Sequence, residues 1–131
     1  MNPPGPGPVE AHILRQLAPQ VQASSHRLAS GGALRVLEGG EGPPVVLLHG
    51  RGHAAPMWFS YITVLARGRR VLAVDLPGFG LSSPPEGLLR KAEDGVRFFT
   101  EPVEELLLKL ELGPMAVVGH SLGGLVALEL A

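Results

Sequence analysis

The stretch MAVVGHSLGGLVALELA, residues 115–131, sets the reading of the whole chain. An apolar run stops at Gly119, a Ser stands two places on, and Gly123 and Gly124 come before a second apolar run. A short, unalternating apolar run bounded by turn residues reads as a strand buried on both faces. The longer run after the glycines reads as a helix. Gly119-His120-Ser121-Leu122-Gly123 therefore joins strand to helix through one sharp turn, in the pattern G-x-S-x-G. In a turn that tight, side chains two places before and two places after the Ser would collide, so both positions call for glycine. Gly124 reads as a point of close helix–strand packing.

Upstream, the chain repeats the same grammar. ALRVLEGG (33–40) and PPVVLLHG (43–50) read as strands, and VLAVDL (71–76) as another, ended by PGFG. MWFSYITVLA (57–66) has helical length and is closed by RGRR. Residues 92–112 read as helical, divided at Pro102, with Val103/Leu107 and Leu106/Leu110 as the apolar stripe. Residues 9–22 carry helical spacing at Val9, Ile13, Leu17 and Val21, with a kink at Pro19. The expected organisation is an unstructured Pro/Gly tail over 1–8, a helical segment over 9–32, and one α/β domain over 33–131. Strands alternating with helices predict a mostly parallel sheet with helices on both faces. Function in such sheets gathers at the carboxyl ends of the strands. Three loops lie at that edge: 49–56, 75–84 and 119–124.

Composition narrows the classes. The chain has 131 residues, 45% hydrophobic and 18% charged, with a formal net charge of −1. That predicts one globular domain and no nucleic-acid partner. The absence of Cys excludes disulfides and thiolate metal sites and fits a reducing, cytoplasmic setting. No secretory leader and no transmembrane run are read from the sequence. No HxH or HExxH spacing argues for a metal, and no cofactor is expected.

The chemistry rests on the elbow. A Ser hydroxyl is a weak nucleophile unless a base can reach it, and a strand-to-helix turn lifts Ser121 to the top of the sheet. The same turn aims the Leu122 N–H, at a helix N-terminus, at a developing oxyanion. His49-Gly50-Arg51-Gly52 follows a buried strand and can supply a second backbone donor, Arg51 N–H first and Gly52 N–H as the alternative. The Arg51 side chain reads as solvated or loop-pinning ahead of a contact to a substrate carboxylate or phosphate. His49 reads as a loop-fixing residue bonded to backbone, and His53 and His120 as local polar residues. Gly50 and His120, like Gly119 and Gly123, read as structural to the site. Asp75 reads as a turn cap. The alternative for the elbow itself is a Gly-rich turn whose Ser caps the following helix.

Taken together, VVLLHGRG, VLAVDLPGFGLS and VVGHSLGG resemble the α/β-hydrolase family, in its esterase, epoxide-hydrolase and haloperoxidase-like branch. The likeness covers residues 33–131 in family order, and Trp58 falls where such sequences often carry an aromatic. The resemblance implies Ser121 as nucleophile and Leu122 N–H as oxyanion donor. A Ser in place of Asp disfavours dehalogenases and epoxide hydrolases, which attack through a carboxylate. It also implies a triad running Ser, then Asp or Glu, then His, with acid, base and cap all following the elbow strand. On that reading residues 1–131 are an N-terminal portion, inactive in triad-dependent hydrolysis by itself, and associating through an exposed sheet edge. The implied function is serine-dependent hydrolysis of a small ester-like acyl substrate. An acyltransferase and a non-catalytic hydrolase-fold binding module are the alternatives.

Overall fold

A computed structural model describes residues 5–16, 20–83 and 95–131. Five strands form one sheet: β1 (Gln22–Arg27), β2 (Ala33–Gly39), β3 (Pro44–Leu48), β4 (Arg70–Val74) and β5 (Ala116–Gly119). Four helices accompany them: α1 (Pro8–Gln16), α2 (Phe59–Leu65), α3 (Arg97–Leu110) and α4 (Leu122–Leu130), with a 3₁₀ turn over Ala55–Trp58. The spatial order is β1-β2-β4-β3-β5. β3 pairs in parallel with both β4 and β5, while β2 runs antiparallel to β4 and to β1. Four of the five strands therefore share one direction.

The apolar runs of β3 and β4 are buried on both faces, and alternation sorts their side chains into two cores. Val46, Leu48, Leu72 and Val74 point to the face covered by Val103, Leu106 and Leu107 of α3 and Leu122 and Val126 of α4. Val45, Leu47, Val71 and Ala73 point to the other face, beneath Trp58 and Ile62. Helices thus lie on both faces of the sheet. Each fully buried Leu or Val here contributes about 1.5–3 kcal/mol of burial free energy.

Three sequence expectations need correction. The segment 9–32 is not helical throughout: the helix ends at Gln16, and Gln22–Arg27 is a strand. QASSHR lacks an apolar face because β1 is an exposed edge strand held by its backbone pairing to β2, with Lys109 Nζ donating to Arg27 O at 2.7 Å. The expected kink at Pro19 lies outside the described residues, as does the first half of the expected tail; Pro8 already belongs to α1. Pro102 does not divide the second helical stretch, since α3 runs through it from Arg97 to Leu110. Pro102 is the sixth residue of α3, where it forgoes one backbone bond, and its ring is buried. Finally, β5 is not buried on both faces: Val117 packs against the first core, while Ala116 and Val118 are exposed. Within the mostly parallel sheet β2 is the antiparallel member: the Gly-rich turn after it carries the chain past β4's position, and β4 later inserts between β2 and β3.

Candidate active site

β5 ends at Gly119 and α4 begins at Leu122, so only His120 and Ser121 make the turn. Ser121 has φ 53° and ψ −116°, a conformation costing about 1–3 kcal/mol for a residue with a Cβ. Glycine on either side makes the turn sterically feasible. A Cβ on Gly119 would overlap the Gly123 carbonyl and stand 2.5 Å from Gly124 N. A Cβ on Gly123 would overlap Leu48 O and stand 2.6 Å from His49 O. The elbow is also pinned to β3, because His120 N–H donates to Leu48 O at 3.0 Å.

The Ser side chain stands at the N-cap position of α4 and makes no capping hydrogen bond to it. Ser121 is exposed. Within α4's first turn, Gly123 N–H donates to His120 O, and the Gly124 and Leu125 N–H groups donate to Ser121 O. Leu122 N–H has no protein acceptor among the described residues. It remains available at the helix N-terminus, where the dipole favours negative charge.

The loop after β3 packs directly onto this elbow. A Cβ on Gly50 would lie 2.8 Å from His120 Nδ1 and 3.2 Å from Ser121 Cβ. Residues Gly50–His53 form a turn closed by His53 N–H to Gly50 O at 3.1 Å, with Gly52 at φ 76°. Arg51 and Gly52 therefore sit at an exposed turn tip next to the Ser. Like Leu122 N–H, Arg51 N–H donates to no protein acceptor among the described residues. The His53 and His120 rings meet edge to face with centroids 6.1 Å apart. Trp58 lies away from this surface, buried in the second core.

His49 is fully buried and engaged through both ring nitrogens. Nδ1 donates to Gly50 O at 2.7 Å and Nε2 accepts from Leu76 N–H at 2.9 Å, which fixes the neutral tautomer. Burial lowers its pKa, and the nearby His53 and Arg35 charges add to that; the bond to Gly50 and the Asp75 charge work the other way. With both nitrogens occupied, His49 is no general base for Ser121.

Asp75 is buried too, and its bonds reach well beyond its own turn. Oδ1 accepts from Ala55 N–H at 2.6 Å, and Oδ2 accepts from Leu81 N–H at 2.8 Å and Arg35 Nε at 2.7 Å. Gly80, at φ 54°, is required because a Cβ there would overlap the Asp75 carboxylate. Arg35 and its second partner, Glu10, were not legible as site residues. One signal existed: a charged residue inside the apolar alternation of ALRVLEG marks a buried pair in waiting.

Among the described residues no group of three His, Asp or Glu side chains could hold a metal ion. No helix among them is long and apolar enough to cross a membrane.

A sequence profile for the alpha/beta hydrolase fold matches residues 43–131. The chain belongs to the α/β-hydrolase fold family. Among hydrolase-fold relatives, the 2-hydroxy-6-oxo-2,4-heptadienoate hydrolase of Pseudomonas putida is 37% identical over 107 residues, covering 79% of this chain and 37% of that protein. The 1-acylglycerol-3-phosphate O-acyltransferase ABHD5 of Rattus norvegicus is 42% identical over 84 residues, covering 64% of this chain and 24% of its own. The crystal structure of epoxide hydrolase VrEH1 from Vigna radiata superposes with a TM-score of 0.75 at 28% identity, covering 86% of this chain and 34% of that one. This α/β-hydrolase-fold chain thus spans between 24% and 37% of the length of these three proteins.

Proposed function

We propose that the chain carries the nucleophile and oxyanion half of a serine hydrolase that acts on an ester-like acyl substrate. One observation carries the reading: Ser121 is exposed, in a strained conformation, with its hydroxyl not spent on capping α4. Strain of this kind persists only where the surroundings over-determine it, and it clusters at sites of function. Ser121 Oγ attacks the acyl carbonyl as a base takes its proton, and the oxyanion collects the N–H groups of Leu122 and Arg51. The tetrahedral intermediate then collapses with cleavage of the ester C–O bond, the base hands the proton to the departing alcohol, and an acyl-enzyme results. Water then releases the acid. Gly52 N–H is the alternative second donor.

None of the histidines in residues 1–131 is assigned as the base: His49 is bonded at both nitrogens, and the last His is His120 itself. Base and acid are assigned to the part of the fold that follows the elbow, in the family's order Ser, acid, His. A second reading is favoured by the ABHD5 likeness: an alcohol of a lipid acceptor replaces water, and the acyl group is transferred. Labelling with a fluorophosphonate, which reacts only with an activated Ser, tests the shared first step. Product analysis with and without an added alcohol acceptor separates the two readings.

A further inference from the structure

Arg35 stands in the middle of β2 at a position that faces the core, 4% exposed. Its Nε donates to Asp75 Oδ2, Nη2 lies 2.7 Å from the same oxygen, and Nη1 pairs with Glu10 Oε1. Burial works against the Arg35 charge, and the hydrogen bonds to Asp75 and Glu10 more than restore it. Asp75 passes the hold onward to two backbone N–H groups, those of Ala55 and Leu81. Ala55 opens the 3₁₀ turn that ends the Gly50–Arg51 loop, and Leu81 lies at the end of the Pro77–Gly80 turn. Asp75 and His49 therefore tie the loop bordering Ser121 to the neighbouring loop, and Arg35 holds Asp75.

Glu10 belongs to α1, a helix with no buried residue of its own. Leu14 of α1 packs at the edge of the second core, and the ion pair with Arg35 adds a polar tie to that contact. A buried guanidinium N–H without an acceptor is costly, and Glu10 supplies that acceptor from outside the sheet.

We propose that Glu10 and Arg35 are positioning residues of the Ser121 site: α1, through Glu10–Arg35–Asp75, sets the loop that packs on the elbow at Gly50. The proposal rests on the reading of Ser121 as nucleophile, and it makes the N-terminal helix a determinant of reactivity some distance from the reacting atom. Arg35 cannot be exchanged for Lys in this role, because one ammonium cannot reach along two directions to both carboxylates as the guanidinium fork does.

The test compares wild type with Glu10→Ala, Glu10→Gln and Arg35→Lys in the longest in-frame product that carries residues 1–131. Backbone amide exchange of Ala55 and Leu81 is read against that of Val46 and Leu72 in β3 and β4. Glu10→Ala is expected to speed exchange at Ala55 and Leu81 by about tenfold, the weight of one charge-assisted hydrogen bond, with Val46 and Leu72 unmoved. Glu10→Gln, which keeps an acceptor, recovers part of that protection; Arg35→Lys does not. The rate of fluorophosphonate labelling at Ser121 falls in the same order. Equal acceleration at all four amides, or none, overturns the proposal, because the ion pair is then a general stabiliser or idle. Selective loosening with an unchanged labelling rate also overturns it. Should wild type not label at all, the nucleophile reading fails, and with it the positioning role; the amides then report only whether α1 holds the loops. Glu10, at the outer end of the network, keeps the test open if Arg35→Lys does not fold.

Discussion

Gly123 and Gly124 are neighbours in sequence, and the fold gives them opposite tolerances for a methyl group. A Cβ on Gly123 would overlap Leu48 O and stand 2.6 Å from His49 O and Leu48 C, where ordinary contact begins near 3.4 Å. All three atoms are backbone of β3 or its exit, and Leu48 O already accepts from His120 N–H. Relief would require α4 to move off the sheet, loosening that bond as well. Overpacking against a rigid wall costs about 1–3 kcal/mol or more, and a weakened buried hydrogen bond adds about 1 kcal/mol, so Gly123→Ala is expected to cost about 3–4 kcal/mol. A Cβ on Gly124 meets nothing nearer than Gly119 O at 3.5 Å. Its helical backbone gains from the lost freedom of the unfolded chain, so Gly124→Ala is expected to stabilise by about 0.5 kcal/mol.

Urea unfolding followed by far-UV circular dichroism measures both. With a slope of roughly 1–3 kcal/mol/M, the two midpoints should differ by about 1 M or more, on opposite sides of wild type. Two variants moving together by similar amounts would refute the claim that the elbow is wedged against β3 at Gly123 alone.

Other consequences are open to measurement. Ser121→Gly relieves a positive-φ conformation, so it is expected to match or exceed wild type in thermal stability and to exceed Ser121→Ala by about 1 kcal/mol; a Gly variant less stable than the Ala variant contradicts the strain. Burial holds the His49 pKa below 6.5, so the unfolded chain binds the proton more readily. Stability is therefore full above about pH 6.5 and falls as pH drops toward the folded pKa, with a slope approaching 1.4 kcal/mol per pH unit. His49→Gln should flatten that slope in pH-dependent unfolding, and an unchanged slope would remove His49 as its source. β5 pairs with β3 on one side only among the described residues, and Val118 on it is exposed. The 131-residue chain is expected to associate with rising concentration in sedimentation velocity, and Val118→Lys to reduce that association; equal association in both would place the contact elsewhere.

What the sequence revealed and what it hid divide along a physical line. β3 and β4 were legible because strands covered by helices on both faces need unbroken Val and Leu; β5 carries the same apolar run, but Ala116 and Val118 leave one of its faces exposed. The elbow was legible because its backbone excludes side chains at Gly119 and Gly123. β1 was hidden, since QASSHR forms a strand by pairing with β2 and buries almost nothing. The insertion of β4 between β2 and β3 was hidden as well, because strand order depends on contacts between distant segments that no local pattern encodes. Pro102 misled for a simpler reason: near the start of α3 a proline forgoes only one bond, and burial of its ring offsets it. Within the site, His49 and the glycines could be read from their own loops. The Glu10–Arg35–Asp75 chain could not, because its three members come from α1, β2 and the end of β4.

The central claim is that Ser121 is built as a nucleophile, and labelling tests it most directly. The longest in-frame product carrying residues 1–131 is treated with a fluorophosphonate, digested, and the adduct located by mass spectrometry. The expected result is one adduct, on the peptide containing Ser121, absent from Ser121→Ala and present in Ser121→Cys only at a much reduced level. An unlabelled protein, or an adduct that survives Ser121→Ala, would contradict the account.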